Sequence, residues 1–229
     1  MEEKKENALL VIDCASENRE VLSFNNLQKI YDIPVQYTCP SIDGPAEMRS
    51  IEKPLGIIIF GSLSNVADNL PWHKDIVDYT LPKIKNNIPT LGICFGHQLI
   101  THAFGGKIGR VTTDSEAGHK GIREIQFHRR FFEIKKSEKL SQFVAHEYEI
   151  IKIPEDFVHL AQSTECLYDA VAHATLPYVG IQTHPEASEE FVQNSIAMDI
   201  SDEEMIKTQA HSKKFMLSFL KLVKQHYSS

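Results

Sequence analysis

The chain is poor in several residue types and patterns, and each shortage excludes something. It has one tryptophan and four cysteines in 229 residues. Cys14, Cys39, Cys94 and Cys166 are widely scattered and form no CxxC pair, so neither a disulfide framework nor a clustered-cysteine metal site is expected. Cations are outnumbered, 24 Lys and Arg against 31 Asp and Glu, for a formal net charge of −7. Nucleic-acid phosphates need a basic face, and the basic runs here stop at pairs such as Arg129-Arg130 and Lys135-Lys136, which argues against nucleic-acid binding. Apolar runs such as "LGIIIF" (Leu55 to Phe60) are far too short to cross a bilayer, and the charged opening "MEEKKEN" lacks the apolar core of a secretion signal. The expectation is a cytoplasmic protein with reduced thiols and no membrane association. There is no internal repeat and no low-complexity segment.

What remains is an ordinary folding composition, 42% hydrophobic and 24% charged, enough to bury one sizeable core. A single domain over 1–229 is expected, with a charged tail at 1–7 and a helical segment at 187–229. "ALLVID" (Ala8 to Asp13) reads as a buried strand, "VLSFNNLQKIY" as a helix and "VQYT" as the next strand, which begins a βαβ pattern. "LGIIIF" gives a third strand ending in the turn-rich "GSLSN". "WHKDIVDYTLPKIKNN" then reads as a helix broken or kinked by Pro82, ahead of the strand "TLGI" (Thr90 to Ile93). "HQLITHAFGG" fits a helix stopped by Gly105-Gly106.

Between 107 and 183 short β-rich runs ("IREIQF", "FFEI", "HLAQS", "AVAHA", "YVGIQT") outnumber helices, so extra strands at or against a sheet edge are expected. The last helix, within "SDEEMIKTQAHSKKFMLSFLKLVKQ", opens with Ser201 and Glu204 at capping-box spacing and directs Ile206, Phe215, Leu217, Leu220 and Val223 toward a core. Together these elements predict an α/β fold of three layers, a mostly parallel central sheet between helices with a β-rich edge.

One stretch carries chemistry. In "TLGICFGHQL" (Thr90 to Leu99) a cysteine sits between two glycines on the corner from a strand into a helix. Gly92, Cys94 and Gly96 have the form of a nucleophile elbow, where the turn brings neighbouring backbone so close that the flanking positions tolerate little more than hydrogen. The thiol then stands at the carboxyl end of the sheet above a helix amino terminus, which favours negative charge on sulfur and leaves the Phe95 N–H free for an oxyanion. A thiolate acting on a carbonyl needs an acid and base and a group to orient it. "VGIQTHPEAS" supplies them: His184 follows an apolar strand, Pro185 fixes the turn, and Glu186 lies two residues on. A second oxyanion donor is expected from "FGSLSN" (Phe60 to Asn65), where Gly61 and Ser62 are small enough to bring backbone close to substrate. His97 and His102 lie five apart without further ligands at suitable spacing, so no metal is expected.

The elbow "GICFGHQ", the late "QTHPE" and the upstream "FGSLS", in this order and separation, resemble the class I glutamine amidotransferases over about residues 8 to 190. The resemblance implies a flavodoxin-like domain. It implies that Cys94 attacks a glutamine side-chain amide to form a γ-glutamyl thioester, that His184 moves the proton and that Glu186 orients His184. It further implies that Phe95 and Ser62 supply the oxyanion hole and that Gln98 helps hold the substrate, with no cofactor. Gly61 and His146, the latter in "AHEYE", are pocket candidates, as is His119 in "SEAGHKG" (Ser115 to Gly121). The chain departs from many relatives, which carry Gly-Gly-Pro where it has Gly61-Ser62-Leu63 and an aromatic residue where it has Thr183, both changes lying beside the pocket. His97 and the Gly-Ser loop resemble stand-alone members.

Three functions stay open on this reading. The first is a stand-alone hydrolase of glutamine or a γ-glutamyl compound acting on a small-molecule substrate. The second is a glutaminase subunit supplying ammonia to a separate synthase of the GMP synthase kind, because no ATP-binding motif such as a P-loop is present. The third is a catalytically silent binding protein on the same fold.

Overall fold

The computed structural model describes residues 8–111, 118–196 and 200–227; the charged tail and residues Ser115 to Ala117 of the "SEAGHKG" segment lie outside them. The chain runs β1 (Leu9–Ile12), α1 (Val21–Ile30), β2 (Val35–Thr38), the short turns α2 (Pro40–Asp43) and α3 (Ala46–Ser50), β3 (Gly56–Ile59), α4 (Pro71–Lys85), β4 (Thr90–Ile93) and α5 (Phe95–Ala103). A run of strands follows before the next helix: β5 (Lys107–Arg110), β6 (His119–Phe127), β7 (Lys139–His146), β8 (Tyr148–Lys152), β9 (Phe157–Gln162), β10 (Ala170–His173) and β11 (Tyr178–Ile181). The chain closes with α6 (Glu189–Phe191), a π-helical turn at Val192–Ile196, and the long α7 (Asp202–Tyr227).

Nine strands form one sheet in the order β2-β1-β3-β4-β11-β10-β9-β6-β7, while β5 and β8 pair separately. β2, β1, β3, β4 and β11 are mutually parallel; β10, β9, β6 and β7 extend the sheet by antiparallel pairing. This is the flavodoxin-like three-layer architecture with a β-rich edge. The strands β1, β3, β4 and β11 are buried along their whole length, as strands covered on both faces must be. Strand alternation sends Leu9, Val11 and Ile58 to the face covered by Leu27 of α1 and by Phe215, Phe219 and Val223 of α7. Leu10, Ile12, Ile57 and Ile59 face Ile76 and Ile84 of α4 and Leu99 and Ile100 of α5. Register places Gly92 beside Ile59 and Ile93 beside Ile181, so the loops leaving β3, β4 and β11 emerge side by side.

Three details differ from the sequence expectations. Pro82 neither breaks nor ends α4, because it sits one turn from the helix end at Lys85 and removes a single N–H from the ladder. "FFEI" forms a tight turn closed by a Phe131–Ile134 bridge, with Phe132 in the left-handed region at φ 51°, and not a strand of the sheet. Ile206 is 67% exposed, while Met216 and Phe219 join Phe215, Leu220 and Val223 inside, and Leu217 is only partly buried. The Ser201–Glu204 capping box does form, and α5 stops at the expected glycines, with Gly105 at φ 99°. Among the described residues, no helix is long and apolar enough to cross a membrane.

Candidate active site

Cys94 occupies the corner between β4 and α5 with φ 49° and ψ −104°, a conformation rarely adopted by a residue with a side chain. The glycines around it explain how the corner is held. A Cβ on Gly92 would lie 2.6 Å from the Gly96 carbonyl oxygen, and one on Gly96 would lie 2.4 Å from that of Ile59. The Cys94 N–H donates to Ile181 O at 2.8 Å, which ties the corner to the strand leading to His184. Phe95 is the first residue of α5, and the amide groups of a first helical turn have no intrahelical acceptor.

The loop after β11 brings His184 against this corner. Gly61 marks the approach: a Cβ there would lie 2.8 Å from His184 Cε1 and 3.5 Å from Cys94 Cβ. His184 Nδ1 lies 2.8 Å from Glu186 Oε1, both side chains are buried, and the backbone N–H of His184 donates to Phe143 O. Burial works against a charged imidazole, but the Glu186 carboxylate and the neighbouring Cys94 sulfur outweigh it and hold the His184 pKa well above its ordinary value. The "FGSLSN" loop is pinned by its own side chains. Ser64 N–H donates to Ser62 Oγ at 3.0 Å, and Ser64 Oγ lies 3.1 Å from His73 Nε2.

These groups share a cleft of about 700 Å³ whose lining includes Gly61, Ser62, Cys94, Phe95, Gln98, His146, His184 and Glu186. Every expected catalytic, oxyanion and substrate residue therefore meets in one place. Thr183 does not: it is fully buried and absent from the lining, whereas Leu63, the other departure, is 91% exposed at the rim. Of the two weaker histidines, His146 lines the cleft, while His119 stands behind it with its ring 5.2 Å from that of His146.

The wall behind the thiol is polar. Gln98 Nε2 donates to Tyr148 O at 2.6 Å and to Gln182 Oε1 at 3.1 Å, and Gln182 Nε2 lies 3.6 Å from Cys94 Sγ. Arg123, buried, donates to Asp169 at 2.8 Å and lies 3.1 Å from His146 Nε2, while His146 Nδ1 lies 3.1 Å from Tyr148 O. Burial and the Arg123 charge push the His146 pKa down to about 2, so it is a neutral imidazole. At the rim, burial and the charges of Glu186 and Asp13 raise Glu20 to about 7. Gln182, Arg123 and Glu20 escaped the sequence reading. Gln182 alone left a signal there, standing two residues before His184 at a strand end, where alternate residues share a side.

Burial pushes the thiols of Cys14, Cys39 and Cys166 upward, and none of the three lines the cleft. Among the described residues, no group of three His, Cys, Asp or Glu is placed to hold a metal ion. The pair Arg129-Arg130 joins Lys136, His128 and His159 around a separate depression at the far end of β6 from the thiol.

Comparison with known proteins agrees with this architecture. Residues 10–200 match the model of the family described as glutamine amidotransferase class-I. The chain is 31% identical over 147 residues to a glutamine-hydrolyzing GMP synthase subunit of Methanopyrus kandleri, covering 64% of this chain and 73% of that protein. It is 31% identical over 195 residues to the glutamine-hydrolyzing GMP synthase of Streptococcus pneumoniae, covering 82% of this chain but 34% of that longer protein. The crystal structure of a glutamine amidotransferase from Methylobacillus flagellatus superposes with a TM-score of 0.72 at 17% identity, covering 95% of each chain, a likeness of fold. The chain belongs to the class I glutamine amidotransferase family.

Proposed function

We propose that this protein hydrolyses the γ-glutamyl amide of glutamine or a γ-glutamyl compound through a thioester on Cys94, with His184 as acid and base and Glu186 as its orienting carboxylate. The observation that carries the reading is the meeting, in one cleft, of a strained cysteine, a buried histidine held 2.8 Å from a carboxylate, and a glycine loop wedged against both. The Cys94 sulfur attacks the γ-carbonyl carbon, and the developing oxyanion is met by the backbone N–H groups of Phe95 and Ser62. His184 gives its proton to the departing nitrogen, which leaves as ammonia or an amine. A water that loses its proton to His184 then cleaves the thioester, releasing glutamate and restoring the sulfur. No cofactor enters this sequence. With Gln98 Nε2 committed to Tyr148 and Gln182, its Oε1 is the group left to hold the substrate.

A second reading concerns the fate of the ammonia. The relatives that are named as GMP synthase subunits favour a glutaminase subunit that passes ammonia to a separate synthase, a role that also fits a cytoplasmic location. Glutamate and ammonia release from glutamine and from γ-glutamyl peptides, with Cys94→Ala as control, tests both. Cys94-dependent turnover by the protein alone supports the stand-alone hydrolase, and turnover that rises steeply only when a GMP synthase-type synthetase subunit is added supports the second role. No turnover in either case, with no thioester formed, sinks the catalytic reading.

A further inference from the structure

We propose that Gln182 is a further catalytic residue, its side-chain amide N–H donating to the Cys94 sulfur and holding the negative charge of the nucleophile. The inference deepens the hydrolase reading and rests on Cys94 being the nucleophile.

The orientation of the amide follows from satisfying its neighbours in turn. A guanidinium only donates, so Arg123, fixed to Asp169 at 2.8 Å, makes His146 Nε2 an acceptor at 3.1 Å. The proton of this neutral imidazole is then on Nδ1, which donates to Tyr148 O at 3.1 Å. A backbone carbonyl only accepts, so the Gln98 atom 2.6 Å from the same Tyr148 O must be its NH₂, and its second hydrogen goes to Gln182 at 3.1 Å. The Gln182 atom receiving that hydrogen must be its oxygen. Its NH₂ therefore faces Cys94 Sγ at 3.6 Å, and flipping it would set two NH₂ groups against each other on one side and oxygen against sulfur on the other.

Gln182, Gln98, His146, Arg123 and Asp169 are all buried, so water does not compete for these bonds, and a buried donor aimed at a sulfur strengthens as the sulfur takes on negative charge. The Gln182 backbone is anchored in the same wall, its N–H donating to Asp169 O at 2.7 Å. The cleft around the sulfur also presents His184 and Glu186 from the loop after β11, the Ala145 carbonyl of β7 at 3.7 Å from the sulfur, the neutral His146, Lys120 of β6, which pairs with Ala145, and Arg19 and Glu20. The positive charge that acts directly on the sulfur is that of His184. Gln182 is a neutral donor to the sulfur, left in place when His184 has given its proton away.

The test needs no substrate. Alkylation of Cys94 by iodoacetamide, located by peptide mass, is followed in the wild type, in Gln182→Glu, which keeps the shape and replaces the donor with an acceptor, and in Gln182→Met, which removes polarity at similar volume. At about pH 6.5 both variants should react roughly tenfold more slowly than the wild type, and the three rates should converge at about pH 9.5, where an ordinary thiol is largely ionised. Thermal unfolding of each variant accompanies the rates. Equal rates in all three at the lower pH overturn the role of Gln182, and so does an equal slowing at both pH values, which is what a merely structural role gives. A wild-type Cys94 that reacts no faster than the same thiol in urea-unfolded chain overturns the nucleophile assignment itself, a result distinct from either of these.

Discussion

His184 Nδ1 and Glu186 Oε1 lie 2.8 Å apart with both side chains buried, and the ring's other polar neighbour is the Cys94 sulfur. One face of the ring is fixed and the other is left for chemistry. The folded pKa of His184 is raised above its unfolded value, so the stabilisation it contributes is fully present below about pH 6.5 and is lost as pH rises through the folded value. Glu186→Gln should therefore lower the melting temperature relative to wild type most at about pH 6, with the gap narrowing in alkaline buffer. Turnover should fall about 100-fold or more, the scale of a misdirected acid and base. A gap independent of pH would contradict the charge assignment.

The pKa of Glu20 is also raised, but here the charged form is the one the fold disfavours. Its pKa of about 7 lies above that of an unfolded carboxylate, so the folded chain holds the extra proton and loses stability as pH rises from about 4.5 to about 7. Glu20→Gln should raise the melting temperature at about pH 8 and leave it nearly unchanged at about pH 4. Thermal scans at the two pH values decide this, and an equal rise at both would mean that the effect is not electrostatic.

Two glycines separate activity from folding. At Gly61 an added Cβ meets the ring edge of His184 at 2.8 Å, so Gly61→Ala should displace the histidine and cut kcat/KM by more than about tenfold while the fold survives. At Gly96 the added Cβ meets the Ile59 carbonyl oxygen at 2.4 Å, backbone against backbone at the elbow. Gly96→Ala should destabilise the protein by about 3 kcal/mol, measured by urea denaturation. Folded protein with unchanged stability would mean that the elbow is looser than its contacts indicate.

Arg123 and Asp169 form a buried ion pair 2.8 Å apart. Arg123→Met removes one partner and leaves the carboxylate uncompensated, which should cost about 3–5 kcal/mol. Adding Asp169→Leu should restore much of that loss. If the single variant is no less stable than the double, the pair is not a structural unit.

Much of the candidate site was legible because each of its elements is contained in a few consecutive residues at a strand end. "GICFGHQ" holds its own steric logic, and "QTHPE" follows an apolar strand whose parallel partner ends in the elbow. The parallel strands and their helices were legible from apolar runs and helical spacing. The antiparallel edge was less so. Strand β7 carries Ser141 and Gln142 among its buried residues, and β5 reads "KIGR", so neither presents an apolar run. Ile206 misled because spacing identifies a helix face but not how far along it the core extends; the fully buried side chains of α7 begin at Thr208. The Arg123–Asp169 pair joins residues 46 apart in the chain, and no local pattern announces such a partnership.

Trapping the intermediate tests the catalytic claim most directly. Wild-type protein mixed with L-glutamine and quenched rapidly in acid should show, by intact and peptide mass, one added glutamyl group on the Cys94 peptide and on no other. The adduct should be absent from Cys94→Ala. A protein that releases glutamate while Cys94 stays unmodified at every quench time, or that turns over equally well as Cys94→Ala, would contradict the thioester mechanism.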